Sequence, residues 1–138
     1  PRLRAGDEIV LSVLEHHANI VPWHFLRERQ GVVLKWVEPE PDGSLPPEKV
    51  LAAIGPKTRL VAVTHMSNVL GTVVDVAAIA KAHSNVAGVE ILPYHRFGVY
   101  KWEEMRLPYP LEGMTTPSDE CLARVTRLFE TEGVEVIV

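Results

Sequence analysis

Between residues 7 and 94 four short apolar runs alternate with three stretches of helical pattern, and no other feature constrains the fold as tightly. The runs are DEIVLSVLE (7–15), VVLKWVEP (32–39), LVAVTHMS (60–67) and VAGVEILPY (86–94). Short apolar runs without strict polar alternation are those of strands covered on both faces. The stretches between them, 18–30, 46–54 and 75–83, are long enough to carry the chain back for a parallel neighbour. The expected fold is therefore α/β: a single layer of about five mostly parallel strands with crossover helices, compact enough to form one domain.

Local signals fix several boundaries. Ile20, Val21, Trp23, Phe25 and Leu26 give a helical stripe, with Pro22 in the first turn and Gly31 as the stop. PDGSL (41–45) is turn chemistry, and two prolines open the helix at 46–54. Residues 96–117 hold three prolines and two glycines with little periodicity, which predicts a long loop. Ser118 then caps a helix over 116–133, with Asp119 and Glu120 in its first turn. Cys121, Leu122, Val125, Leu128 and Phe129 fall on one side of it as a core stripe, Gly133 ends it, and VEVIV (134–138) is a closing strand, at the sheet's edge or unpaired.

A net charge of −4 argues against nucleic acid or an anionic membrane as a partner, each of which asks for a basic face. No apolar stretch reaches the about 18–20 residues that span a bilayer. The opening PRLRAGDE lacks the succession of a secretory signal, so a cytoplasmic protein is expected. The start at Pro1 reads as that of a processed or excised piece. The single cysteine, Cys121, excludes an internal disulfide and any cysteine-based cluster built by this chain alone.

The pair His16–His17 has three readings on its residues: contact with a cofactor ring, metal binding, or a helix cap. Adjacent side chains diverge, and His24, eight residues on, leaves a metal site without a third ligand, so no metal is expected. Ser67 and Asn68 after a strand suit a turn. His65 is expected to be partly buried, and His83 to stand near a helix end, where a cationic ring suits the dipole. His95 with Arg96 is an isolated pair with some capacity for an anion. Lys101 and Trp102 read as loop residues.

Two resemblances add to this reading. Residues of about 5–83, through GDEIVLSVLEHHANIVPW, DGSL, KTRLVAVTHMSNVLGT and the helix that follows, resemble the cysteine desulfurase and selenocysteine lyase group of class V aminotransferases. That resemblance implies pyridoxal phosphate as cofactor, His16 stacked on the pyridine ring, and Asn68 hydrogen-bonded to the phenolic oxygen. Residues of about 84–138, through NVAGVEILPYHRFGVYKWEEM, LPYPLEG and GVEVIV, resemble the C-terminal end of glycyl-radical-enzyme activating enzymes. Those are radical S-adenosylmethionine proteins, and the resemblance implies that His95 stands near the S-adenosylmethionine site.

Taken together, the two resemblances describe a chimera, whether by natural fusion, engineered recombination or an error of assembly. Its parts are a desulfurase-like segment, 1–83, and an activating-enzyme-like segment, 84–138. Neither set of chemistry is complete. Where the desulfurase pattern places Asp-Gly-Ala-Gln this chain has LPYH, which lacks the carboxylate that pairs with the pyridinium nitrogen. The Ser-x-His-Lys stretch with the cofactor's lysine, the phosphate-binding loop and the persulfide cysteine are absent, and one cysteine cannot replace the Cys-x3-Cys-x2-Cys run of an iron–sulfur cluster. The expected function is that of a fragment fusion, catalytically incompetent alone and with no catalytic residue of its own. The alternatives are a cofactor- or anion-binding enzyme with a recruited lysine such as Lys35 or Lys57, and a non-catalytic module that self-associates into a homo-oligomer through open strand edges.

Overall fold

The computed structural model describes residues 2–83, 86–91, 99–109 and 112–137. The chain's contacts gather into two compact units, Pro1–Ser84 and Asn85–Val138.

In the first unit the order is β1 (Glu8–Ser12), a 3-10 turn (His17–Asn19), α1 (Val21–Gln30), β2 (Val33–Val37), α2 (Pro47–Ala53), β3 (Thr58–Ala62) and α3 (Val76–Lys81). The three strands form one parallel sheet in the order β2-β1-β3. β1 is central, with Ile9 opposite Leu34 on one side and Leu60 on the other. Its apolar run is explained by what covers it. Ile9 and Leu11 face one way and, with Val32, are packed by Trp23 and Leu26 of α1. Val10 faces the other way, among Val37, Val50, Val74 and Ile79, so α2 and α3 cover that face. Ile9, Val10 and Leu11 are all fully buried, as a strand sandwiched between helix layers must be.

The punctuation read from sequence is present. Pro22 lies in the first turn of α1, and Gly31 ends that helix at φ 73°, donating its N–H to the Arg27 carbonyl at 3.0 Å. A Cβ at Gly31 would stand 3.3 Å from the Cβ of Ala5, so a side chain there meets both backbone strain and a neighbour. Asp75 caps α3 by accepting the Ala78 N–H at 2.9 Å. His83 follows shortly after α3, as expected, whereas His65 lies beyond the end of β3 and is exposed rather than partly buried. β3 is cut short because the chain turns at Thr64 into a hairpin, in which the Val74 N–H donates to the His65 carbonyl at 2.8 Å.

The second unit holds β4 (Val89–Glu90), α4 (Val99–Glu104), α5 (Asp119–Thr131) and β5 (Val136–Ile137). β4 and β5 pair in parallel as a sheet of their own, so the five strands described do not form the single layer expected. β4 is two residues long and finds its partner in the chain's last strand, the Val89 N–H donating to the Glu135 carbonyl at 2.8 Å. Gly88 permits the approach, since a Cβ there would lie 2.8 Å from Ile137 Cγ1. The stretch 96–117 is not wholly loop. It contains α4, closed by Leu107 N–H donating to the Trp102 carbonyl at 3.0 Å, with the Trp102 and Tyr109 rings 6.0 Å apart. Ser118 caps α5 as read, accepting the Cys121 N–H at 3.2 Å. The stripe on α5 is a different matter: no residue of that helix is buried, and Cys121 is only partly covered.

Candidate functional site

The connection from β1 runs through α1 to β2 at one side, and the next connection returns through α2 to β3 at the other. The C-terminal ends of such strands are the usual ligand position in a parallel α/β sheet. His16 follows β1 and Asn68 follows β3, so the topology brings both to this end, and both side chains are exposed.

His16 is fixed by the 3-10 turn it opens. Its Nδ1 accepts the Ala18 N–H at 3.2 Å, which in the neutral ring leaves the proton on Nε2. The adjacent His17 ring stands edge-on to it, with the centroids 5.8 Å apart and the planes at 75°. His24 instead faces Trp36 at 6.0 Å. Among the described residues no three His, Cys, Asp or Glu side chains are grouped so as to hold a metal ion.

Asn68 stands on the hairpin of residues 65–74. Met66 bridges Val73, and the buried Ser67 hydroxyl accepts the N–H groups of Val69 and Leu70 at 3.3 and 3.2 Å. The turn at PDGSL supports this hairpin from outside: the Thr72 hydroxyl donates to the Gly43 carbonyl at 2.6 Å. In the same turn Asp42 accepts from the Ser44 hydroxyl at 2.6 Å and from its N–H at 2.9 Å, and the hydroxyl bond above all holds the Asp42 carboxyl below its ordinary pKa.

Sequence reasoning missed the residue that joins the two loops. Glu15 is buried, and its carboxylate accepts from Ser12 Oγ, from the Thr64 N–H at 2.8 Å and from Asn19 Nδ2 at 2.8 Å. An acidic residue three positions after a serine, at the end of an apolar run, was the available signal.

The lysines are placed differently. Lys35 Nζ is 3.4 Å from Glu8 Oε2 at the start of β1, and the Lys57 carbonyl accepts the Glu8 N–H at 2.9 Å. Lys57 directly precedes β3 at the N-terminal end of the sheet, and Lys35, opposite Val10 in the middle of β2, turns its Nζ toward that same end. They are not positioned to serve a ring stacked on His16. Lys49 is engaged by the Glu40 carboxylate at 2.9 Å and the Glu38 carbonyl at 3.2 Å. His95, with Arg96, lies outside the described residues.

Comparison with known proteins places this geometry. The family model for class-V aminotransferases matches residues 1–92, and so takes in β4 as well as the whole three-stranded sheet. A cysteine desulfurase of Salmonella newport is 45% identical over 103 residues, covering 70% of this chain and 25% of its own length. The chain thus spans about a quarter of the curated relatives it matches. Among solved structures, the cysteine desulfurase CsdA from Escherichia coli superposes with a TM-score of 0.57 at 29% identity, over 78% of this chain and 28% of that one. A mutant of C-DES with glycine covalently linked to the PLP cofactor matches with a TM-score of 0.50 at 27% identity, over 59% of this chain and 23% of that one.

Proposed function

The chain belongs to the class-V aminotransferase family, and from that premise we propose that it is a fragment of a pyridoxal-phosphate-dependent, cysteine desulfurase-like domain, contributing one wall of the cofactor site and inactive alone. The observation that carries the reading is the convergence of His16 and Asn68 on the C-terminal end of a parallel sheet. An exposed imidazole anchored through Nδ1 offers a flat face to a pyridine ring, and an exposed amide offers a donor to a phenolic oxygen. These two residues fit the cofactor. Bound there, pyridoxal phosphate supplies an electron sink.

No covalent anchor is assigned to the described lysines Lys35, Lys49 and Lys57. Lys57 stands at the opposite end of the sheet, Lys35 directs its Nζ to that end from mid-strand, and Lys49 is held by an acidic partner and a carbonyl. The chain's part is to bind and orient one face of the ring. For the segment 84–138, of which residues 84–92 fall within the family match, we propose the separate origin read from its sequence.

A borohydride trap tests the functional reading. Purified chain is mixed with stoichiometric pyridoxal phosphate, reduced, and mapped by mass spectrometry. Negligible or scattered lysine labelling is expected. One lysine labelled near completion would overturn the inactive-fragment reading in favour of an enzyme with a recruited lysine.

A further inference from the structure

Glu15 occupies a position for which a carboxylate is an expensive choice. Glu15 is 8% exposed, as buried as the Leu14 that precedes it, whereas His16 after it is exposed. A buried carboxylate persists only when hydrogen bonds replace its water, and three donors do so here. Ser12 Oγ and the Thr64 N–H reach Oε1, and Asn19 Nδ2 reaches Oε2. Asn19 is held in turn by the Trp23 indole N–H, which donates to its Oδ1 at 3.1 Å.

Those donors come from three places: the last residue of β1, the 3-10 turn that His16 caps, and the exit of β3, 49 residues away in sequence. Thr64 continues directly into the hairpin, its hydroxyl donating to the Met66 carbonyl at 2.9 Å, and Asn68 follows four residues on. One carboxylate therefore ties the segment that carries His16 to the segment that carries Asn68. An apolar side chain would fill the same space without the desolvation cost. What the carboxylate adds is direction, because each of its oxygens fixes a donor at a set angle.

We propose that Glu15 is the positioning residue of this site: its buried carboxylate sets where the His16 imidazole stands relative to the hairpin bearing Asn68. The inference rests on the reading of His16 and Asn68 as parts of one ring site, and it concerns Glu15 acting through them.

The test uses the full chain and has one arm without ligand. A nitroxide on Val69→Cys, at an 80% exposed position on the hairpin and in a Cys121→Ser background, reports its distance to His16 through relaxation of the ring Hε1 signal. Glu15→Gln keeps the shape but turns an NH2 group toward one of the donors. It is expected to change the His16 relaxation and to speed Thr64 amide exchange about tenfold. Val50→Ala, a cavity in the core on the α2 side, serves as the control. It lowers the urea midpoint while leaving the relaxation and the exchange ratio of Thr64 to Leu11 unchanged. Wild-type relaxation and wild-type Thr64 exchange in Glu15→Gln would overturn the proposal.

The second arm titrates pyridoxine 5′-phosphate, which has no aldehyde and needs no lysine. In the wild type the His16 ring and Asn68 amide signals are expected to move together with one affinity. In Glu15→Gln they separate, and binding weakens about tenfold. A wild type in which neither signal moves would overturn the ring-site reading, and the ligand-free arm would still decide the role of Glu15.

Discussion

Asp42 shows how a fully exposed residue can bear on the candidate site. Its carboxyl is held below the ordinary aspartate value of 3.8, first by the Ser44 hydroxyl and then by the Ser44 N–H. A carboxyl whose pKa is lower in the folded chain contributes stability above the unfolded value, and that contribution is lost as pH falls through the folded one. Acid should therefore loosen the turn at 41–45, and the loosening should reach the hairpin through the bond between Gly43 and Thr72. Carbon NMR of the Asp42 carboxyl should show a midpoint below 3.8, and Ser44→Ala should move it part of the way back, because the backbone donor remains. A midpoint untouched by Ser44→Ala would remove the hydroxyl as the cause. At this scale the sequence was legible at several positions whose partner is near. Gly31, Pro22 and the Ser118 cap act within four residues of themselves, and all three were read. Glu15 reaches Thr64 across 49 residues, a distance that no local pattern encodes.

Among the elements, β1 and α5 carry equally plain apolar patterns and have opposite fates. β1 is flanked by strands on both sides and covered by helices on both faces, so Leu11 is fully buried. α5 has an apolar side and an acidic first turn, yet Leu128 is 60% exposed. Periodicity states which face a helix offers, whereas burial depends on what there is to cover it. Leu11→Ala should cost about 2–5 kcal/mol, as expected for a core cavity. Leu128→Ala should stay within about 0.5 kcal/mol, as expected for a surface change. Urea titration of both variants measures the difference, and a comparable loss from Leu128→Ala would show that α5 is buried in solution. The same contrast explains α4. Six residues are too few to display a helical period, so the proline- and glycine-bearing stretch around it reads as loop.

For the whole molecule, the distribution of the core decides which half is held firmly. Of the buried apolar residues described, Val134 alone belongs to the second unit, and the rest lie in the first. The α/β pattern up to residue 83 was legible because β1 is buried on both faces and β2 and β3 each pack apolar residues, Leu34 and Val37, Leu60 and Val61, into the two clusters that cover it. The stretches that hold β4 and β5 were read as strands too, but their pairing as a separate sheet was not, because two residues of ladder leave no trace of the partner in either run. Amides opened only by disruption of a buried core exchange far more slowly than those held by short, solvent-facing ladders. Native-state hydrogen exchange should therefore show the amides of Ile9, Val10 and Leu11 as the most protected, with those of α5 and of Val89 exchanging at lower urea. Equal protection of α5 and β1 would mean that the second unit draws stability from burial beyond its described residues. If the order holds, the firm unit is the one whose strand ends carry His16, Glu15 and Asn68, which is what the proposed ring site requires.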